Sequence, residues 1–225
     1  MIGVAIFAIS DAATPQRWDE NDSLVFLQKP HFLIYYNIDK RVPALVVWKL
    51  SGNQLGNKSR PTSKSFAQDR ELPKPRAKSS DFTGSGYQRG HCCPSADWSN
   101  NIDQMSATFV MSNVAPMTPT LNMIQWAQAE DYSRYLARHG YACKMIAGAF
   151  FGGDSLELFG KSKIAVPDSF FRACVVPSRP ELSVFWLFAN DHRQRAESAC
   201  RVDRRRFLMS IRKKVQFYID QLDVL

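Results

Sequence analysis

A chain of 225 residues is long enough to bury a sizeable core as one domain over 1–225, and its composition argues for no second one. Its 29 Lys and Arg outweigh 21 Asp and Glu to give a net charge of +8, which favours a polyanionic partner such as nucleic acid, although an acidic membrane surface would answer to the same charge. No apolar run approaches the length that spans a bilayer, and Val4 to Ile9 is too short and lacks the basic leader of a signal peptide, so a soluble chain with no membrane partner is expected.

Residues 1–28 carry no assignable pattern. Phe32 to Tyr36 and Ala44 to Trp48 are β-rich runs joined by the polar turn Asn37 to Arg41, which predicts an antiparallel pair. From Ser51 to Ser80 the composition turns to Ser, Pro, Asn, Lys and Arg, the mark of a long loop, and long loops in compact domains are often functional. Ala107 to Val114 reads as a strand through Phe109, Val110 and Met111. Pro116 to Thr120 then breaks the chain before a helix that begins near Leu121. Further strands are expected at Ala142 to Phe151, Val166 to Val176 and Leu182 to Phe188. A last helix from Asp203 to Leu222 places Phe207, Ile211, Val215, Tyr218 and Leu222 at helical spacing, with Arg204, Arg205, Arg206, Lys213 and Lys214 largely off that stripe.

On the helix after Pro119, a phase of about 100° per residue gathers Leu121, Ile124, Tyr132, Tyr135 and Leu136 on a core side. Asn122, Glu130 and Arg134 then share the other flank. Alone, that flank would be an ordinary solvated face with an i,i+4 Glu130–Arg134 pair worth about 0.3 kcal/mol. Five cysteines, Cys92, Cys93, Cys143, Cys174 and Cys200, show no metal-finger spacing. Reduced thiols in a cytosolic setting are the plain reading, with a mature secreted form left open. Cys92 and Cys93 read as small buried hydrophobes rather than as a nucleophile or zinc site, and His31, His139 and His192 as structural histidines. Gly84, Gly86 and Gly90 allow tight turns and close backbone approach.

Downstream of the long loop stand Gln88-Arg89-Gly90-His91, then Ser112-Asn113-Val114-Ala115-Pro116, then Leu121-Asn122 with Trp126, Glu130 and Arg134. A base, a metal ligand and fixed cations are what cutting a phosphodiester bond requires. This series resembles the DNA/RNA non-specific endonuclease family of the ββα-metal (His-Me finger) superfamily, to which endonuclease G and the secreted bacterial nucleases belong. The resemblance runs from about Phe32 to the C-terminal helix. It implies an α+β fold, a mainly antiparallel central sheet flanked by helices, with a ββα-metal finger from about Tyr87 to His139.

The resemblance also implies roles. His91 would be the general base, since an imidazole titrates near neutrality. Asn122 would bind the metal directly, a neutral amide suiting Mg²⁺ with Mn²⁺ as a substitute, and Glu130 would hold the ion's waters. Arg89 and Arg134 would grip the scissile phosphate, and Arg60, followed by Phe66 and Asp69, would stabilise the transition state. Asn113 would fix the local backbone or the His91 loop, or else close a strand end. The expected activity is metal-dependent endonucleolytic hydrolysis of DNA and RNA to 5′-phosphate ends with little base specificity, in a chain that could pair as a homodimer or meet a protein inhibitor. One departure stands out: the family has an acidic residue where this chain has Gln88. A nucleic-acid-binding protein weakened in cleavage by Gln88 is therefore the alternative, and a sequence-specific enzyme of the same superfamily a more distant one.

Overall fold

The structure, a computed structural model, describes residues 16–17, 24–60, 66–151 and 156–211. Its first strands, β1 (Gln16–Arg17), β2 (Leu24–Gln28), β3 (Phe32–Asn37) and β4 (Val42–Leu50), form an antiparallel meander. The β3–β4 turn is built by Asn37, whose Oδ1 accepts the backbone N–H groups of Asp39 and Lys40 at 3.1 and 2.9 Å, an Asx-type closure. Strands β5 (Gln88–His91) and β6 (Val114–Met117) pair with each other, and α1 (Ile102–Ala107) lies in their connection. A π-helical segment, Leu121–Trp126, runs on into α2 (Ala127–Arg138). Strand β7 (Cys143–Phe150) then joins the large sheet beside β4, and the short β8 (Leu158–Phe159) and β9 (Ile164–Ala165) make a separate hairpin. With β10 (Ser169–Val175), β11 (Val184–Ala189) and β12 (Arg201–Val202) the sheet reaches eight strands in the order β1-β2-β3-β4-β7-β10-β11-β12, antiparallel at each pairing. The fold class is thus α+β with a dominant antiparallel sheet. No described helix is long and apolar enough to cross a membrane.

Period-two alternation assigns the two faces of this sheet, and both are covered. On one face Ile34, Val46, Trp48, Met145, Phe170 and Trp186 pack against Met117, Leu121, Trp126 and Ala129 of the finger. On the other, Tyr35, Val47, Ile146, Phe171 and Phe185 pack against Phe207 and Ile211. These two side chains belong to helical residues 204–211; Val215, Tyr218 and Leu222, expected on the same helix, lie outside the described residues. Full burial of a Phe or Ile contributes about 1.5–3 kcal/mol, so this short amphipathic segment is held by its apolar stripe.

Two expectations need correction. Ala107 to Val114 is not a strand. Asn101 caps α1 through hydrogen bonds from the N–H groups of Asp103 and Gln104, so the chain is helical up to Ala107. Beyond it, the backbone bonds of Phe109 and Met111 go to Ala67 at 3.0 and 2.8 Å, and a 3₁₀ turn over Met111–Asn113 precedes β6. The helical phase differs as well. Tyr135 is 54% exposed, whereas Arg134 is buried and Ala129, Ser133 and Ala137 face the protein. A π turn takes about one residue more than an α turn, so a wheel drawn from Leu121 slips out of register before it reaches Tyr135.

Gly90 shows why the finger hairpin accepts no side chain there. A Cβ on Gly90 would meet Met117 Sδ at 2.4 Å and Cγ at 2.6 Å. Gly90→Ala is expected to destabilise the fold by about 1–3 kcal/mol through overpacking. Chemical denaturation measures this, and adding Met117→Ala, which removes the obstructing atoms, should restore part of the loss. An unchanged denaturation midpoint in the single variant would contradict the contact.

Candidate active site

Strand β5 ends on His91, and everything around the ring serves to hold it. Its carbonyl accepts from Trp126 Nε1 at 3.1 Å, which ties β5 to the start of the helix. The imidazole lies between two phenyl rings, Phe66 at 4.8 Å and Phe109, edge-on, at 4.9 Å. Its Nε2 is buried and has no hydrogen-bond partner among the described residues. Buried polar atoms are nearly always paired, so such a nitrogen marks a place for a water, an ion or a reactant. Burial, with a smaller push from Arg60, drives the His91 pKa down to about 3, so the free protein holds it neutral.

Asn113 locks the turn after His91. Its Nδ2 donates to the carbonyls of Cys93 and Thr108 at 2.9 and 3.0 Å, and its Oδ1 accepts the Cys93 N–H at 2.9 Å. All its amide groups are engaged inside the protein, so geometry gives it the loop-fixing position. Beside it Ser112 Oγ donates to Asp69 Oδ2 at 2.5 Å, and Asp69 also pairs with Lys29 at 2.7 Å, which ties the long loop to the finger. Cys92 and Cys93 are fully buried, and burial pushes the Cys92 thiol up to about 12, which leaves no thiolate for chemistry.

A cleft of about 500 Å³ is lined by Arg60, Phe66, Phe82, Thr83, Tyr87, Gln88, Arg89 and Asn122; His91 is not part of its lining and adjoins it through Phe66, whose ring packs on the imidazole. The Arg60 guanidinium lies 4.6 Å from the Phe109 ring and 5.8 Å from Phe66, and that of Arg89 5.8 Å from Phe66 and 5.9 Å from Phe82. Arg89 donates to the Ser79 carbonyl at 3.1 Å. Neither arginine meets a carboxylate in an ion pair among the described residues. Aromatic faces thus hold two cations in place without neutralising them. Asn122, on the π-helical segment, donates from Nδ2 to Gln88 Oε1 at 2.7 Å.

Glu130 and Arg134 do not line this cleft. Arg134 donates to Asp97 at 3.1 Å and to Asp131 at 2.7 Å, and lies 3.6 Å from Glu130. Asp97, wholly buried, also accepts from Trp48 Nε1 at 2.9 Å. These carboxylates raise the Arg134 pKa despite its burial. Desolvation lifts Glu130 to about 7 against the pull of Arg172 and Arg134. Arg172 escaped the sequence reading. This fully buried arginine of β10 sits between the rings of Trp48 and Trp126 at 5.1 and 5.2 Å, reaches the Cys92 carbonyl at 3.4 Å, and leaves Nε and Nη2 without partners among the described residues. A lone arginine inside the apolar run Phe170-Phe171-Arg172-Ala173 was the signal available.

A two-stranded hairpin and helix carrying His91 and Asn122, mounted on a large antiparallel sheet, define a ββα-metal fold. A family model described as DNA/RNA non-specific endonuclease matches residues 12–217, and the chain belongs to that family. It is similar to a nuclease of Nostoc sp., 34% identical over 180 residues covering 79% of this chain and 63% of that protein. It is also similar to human mitochondrial endonuclease G, 36% identical over 110 residues covering 45% of this chain and 37% of that protein. The chain therefore spans less than two thirds of the length of these relatives. A chain of the solved EndoG/EndoGI complex superposes with a TM-score of 0.73 at 21% identity, over 88% of this chain and 91% of that one, a likeness of fold.

Proposed function

We propose that this chain is a metal-dependent endonuclease that hydrolyses phosphodiester bonds of DNA and RNA with little regard to sequence. The observation that carries the reading is a desolvated imidazole, His91, packed on Phe66 in the wall of a cleft lined by two arginines, neither of which has a carboxylate partner among the described residues. A phosphate between Arg60 and Arg89 would find bidentate donors on either side. Its negative charge would offset the field of Arg60 and raise the His91 pKa toward the range in which an imidazole accepts a proton from an attacking water. Asn113 keeps the turn after His91 fixed, which holds the imidazole in place as the phosphate enters.

The donor set fits a hydrated hard cation. Among the described residues no three His, Cys, Asp or Glu side chains gather into a cage, and the Asn122 amide oxygen accepts no hydrogen bond from them. Mg²⁺, which keeps most of its waters and takes few protein oxygens, suits a single amide ligand, with Mn²⁺ as a substitute. When bound it would neutralise phosphoryl charge and stabilise the leaving oxygen. In this reading the products carry 5′-phosphates, as in the family. Arg134 supports Glu130 rather than touching phosphate. The EndoG/EndoGI complex, described as a mechanism of EndoG inhibition, supports a protein inhibitor as a partner to seek.

Supercoiled plasmid incubated with the purified chain and Mg²⁺ should be nicked and then linearised, a chelator should stop it, and structured RNA should be cut as well. Asn122→Ala should shift half-maximal activity to higher Mg²⁺. Binding without metal-dependent nicking at any pH would replace the nuclease reading with that of a nucleic-acid-binding protein.

A further inference from the structure

Gln88 occupies the rim of the cleft, and each end of its amide meets a different neighbour. Its Oε1 accepts from Asn122 Nδ2 at 2.7 Å, and its Nε2 points at Met123 Sδ at 3.1 Å. The thioether sets the direction of both contacts, because methionine sulfur can accept a hydrogen bond but never donate one. The Gln88 end facing Met123 must therefore be the NH₂, which makes the end facing Asn122 a carbonyl. An amide facing a carbonyl must present its own NH₂. Turning both amides over would bring the Gln88 oxygen against the sulfur, and turning one would set like ends together. Only one arrangement satisfies the three groups, and it leaves Asn122 Oδ1 as the end that accepts nothing from the described residues.

Met123 supports this on separate grounds. It is 66% exposed, so burial does not account for its position, whereas acceptance from Gln88 does. The charge at residue 88 matters as well. A carboxylate there would still accept from Asn122 Nδ2, so the amide would keep its orientation, but the cleft would gain a negative charge beside Asn122 and facing Arg60 and Arg89.

We propose that Gln88, keyed by Met123, is a positioning residue that locks the Asn122 amide with its oxygen outward for a hard divalent cation. By being neutral, it also holds cation affinity low and leaves the arginine field of the cleft intact. The inference rests on Asn122 as the cation ligand.

The test uses Mn²⁺ alone, titrated into the 225-residue chain without nucleic acid and followed by the electron paramagnetic resonance of the free ion. Asn122→Ala is the reference and should weaken Mn²⁺ binding more than any of the other variants. Gln88→Leu, which can hold no amide, should weaken Mn²⁺ binding by roughly three- to tenfold, the equilibrium effect of one lost hydrogen bond. Met123→Leu, similar in volume but unable to accept, should weaken it in the same direction by a smaller factor. Gln88→Glu should restore orientation, add charge, and tighten Mn²⁺ by roughly tenfold, while raising the Kd for nucleic acid measured in chelator. Thermal melting of each variant establishes that it is folded, and Gln88→Glu and Met123→Leu carry the test should Gln88→Leu not fold. Wild-type Mn²⁺ affinity in Gln88→Leu or Met123→Leu, or weaker binding in Gln88→Glu, would overturn the inference and leave Asn122 as a ligand. Intact Mn²⁺ binding in Asn122→Ala would instead remove the ligand assignment, and this inference with it.

Discussion

His91→Ala should lower the rate of plasmid cleavage by roughly 10²–10⁴-fold while leaving the Kd for nucleic acid, measured in chelator, within about a factor of two. The asymmetry follows from position. His91 packs against Phe66 and Phe109 and does not line the cleft, whereas the charges that would hold phosphate belong to Arg60 and Arg89, which do. The same variant has a readout that is independent of turnover. In the unfolded chain His91 takes up a proton near its ordinary value of 6.5, and in the folded chain only near pH 3, because burial and then Arg60 disfavour the charged ring. The stability tied to keeping it neutral is therefore fully present above pH 6.5 and is lost as pH falls from there toward 3. Denaturation curves of wild type and His91→Ala should accordingly converge as the solution is acidified through that window. Unchanged turnover would remove His91 from the role of base, and a stability difference independent of pH would show that the ring is not buried neutral.

The sheet and the finger were legible because they rest on local patterns. Phe32 to Tyr36 and Ala44 to Trp48 carry enough β-branched and aromatic side chains to be strands in any register, and they emerge as β3 and β4. His91 and Asn122 could be singled out because their neighbours in sequence form a known series. What the sequence hid depends on contacts between distant segments. Phe109 and Met111 look like strand residues, but their backbone partner is Ala67, more than forty positions earlier, and the hydrogen bonds of that bridge left no trace in the apolar pattern. The Leu121–Trp126 segment carries no Pro or Gly to announce a π turn, so an ideal wheel exposed Arg134 and buried Tyr135, the reverse of what the fold does. Arg172 is not legible in sequence because its charge is compensated by Trp48, Trp126 and Glu130, which come from three other elements.

Arg134→Met is expected to be among the most destabilising single changes in the finger. The substitution keeps most of the side-chain length but removes the charge that Asp97 and Glu130 face. Asp97 is wholly buried, with Trp48 Nε1 as its other side-chain donor, so it would be left as a carboxylate without a counter-ion in a region water does not reach. Breaking one side of such a pair costs about 3–5 kcal/mol. For a domain of this size, that corresponds to a fall in melting temperature of roughly 6–20 °C. Asp97→Asn added to Arg134→Met removes the orphaned charge while keeping an acceptor for Trp48, so the double variant should be more stable than Arg134→Met alone. Nuclease kinetics separate this position from a phosphate contact. If Arg134 gripped the substrate, Arg134→Met would raise KM for nucleic acid with little change in melting temperature. The structure places its guanidinium among Asp97, Glu130 and Asp131, so the loss should appear first in stability. A normal melting curve with impaired substrate binding would mean that Arg134 turns to the cleft in the working protein.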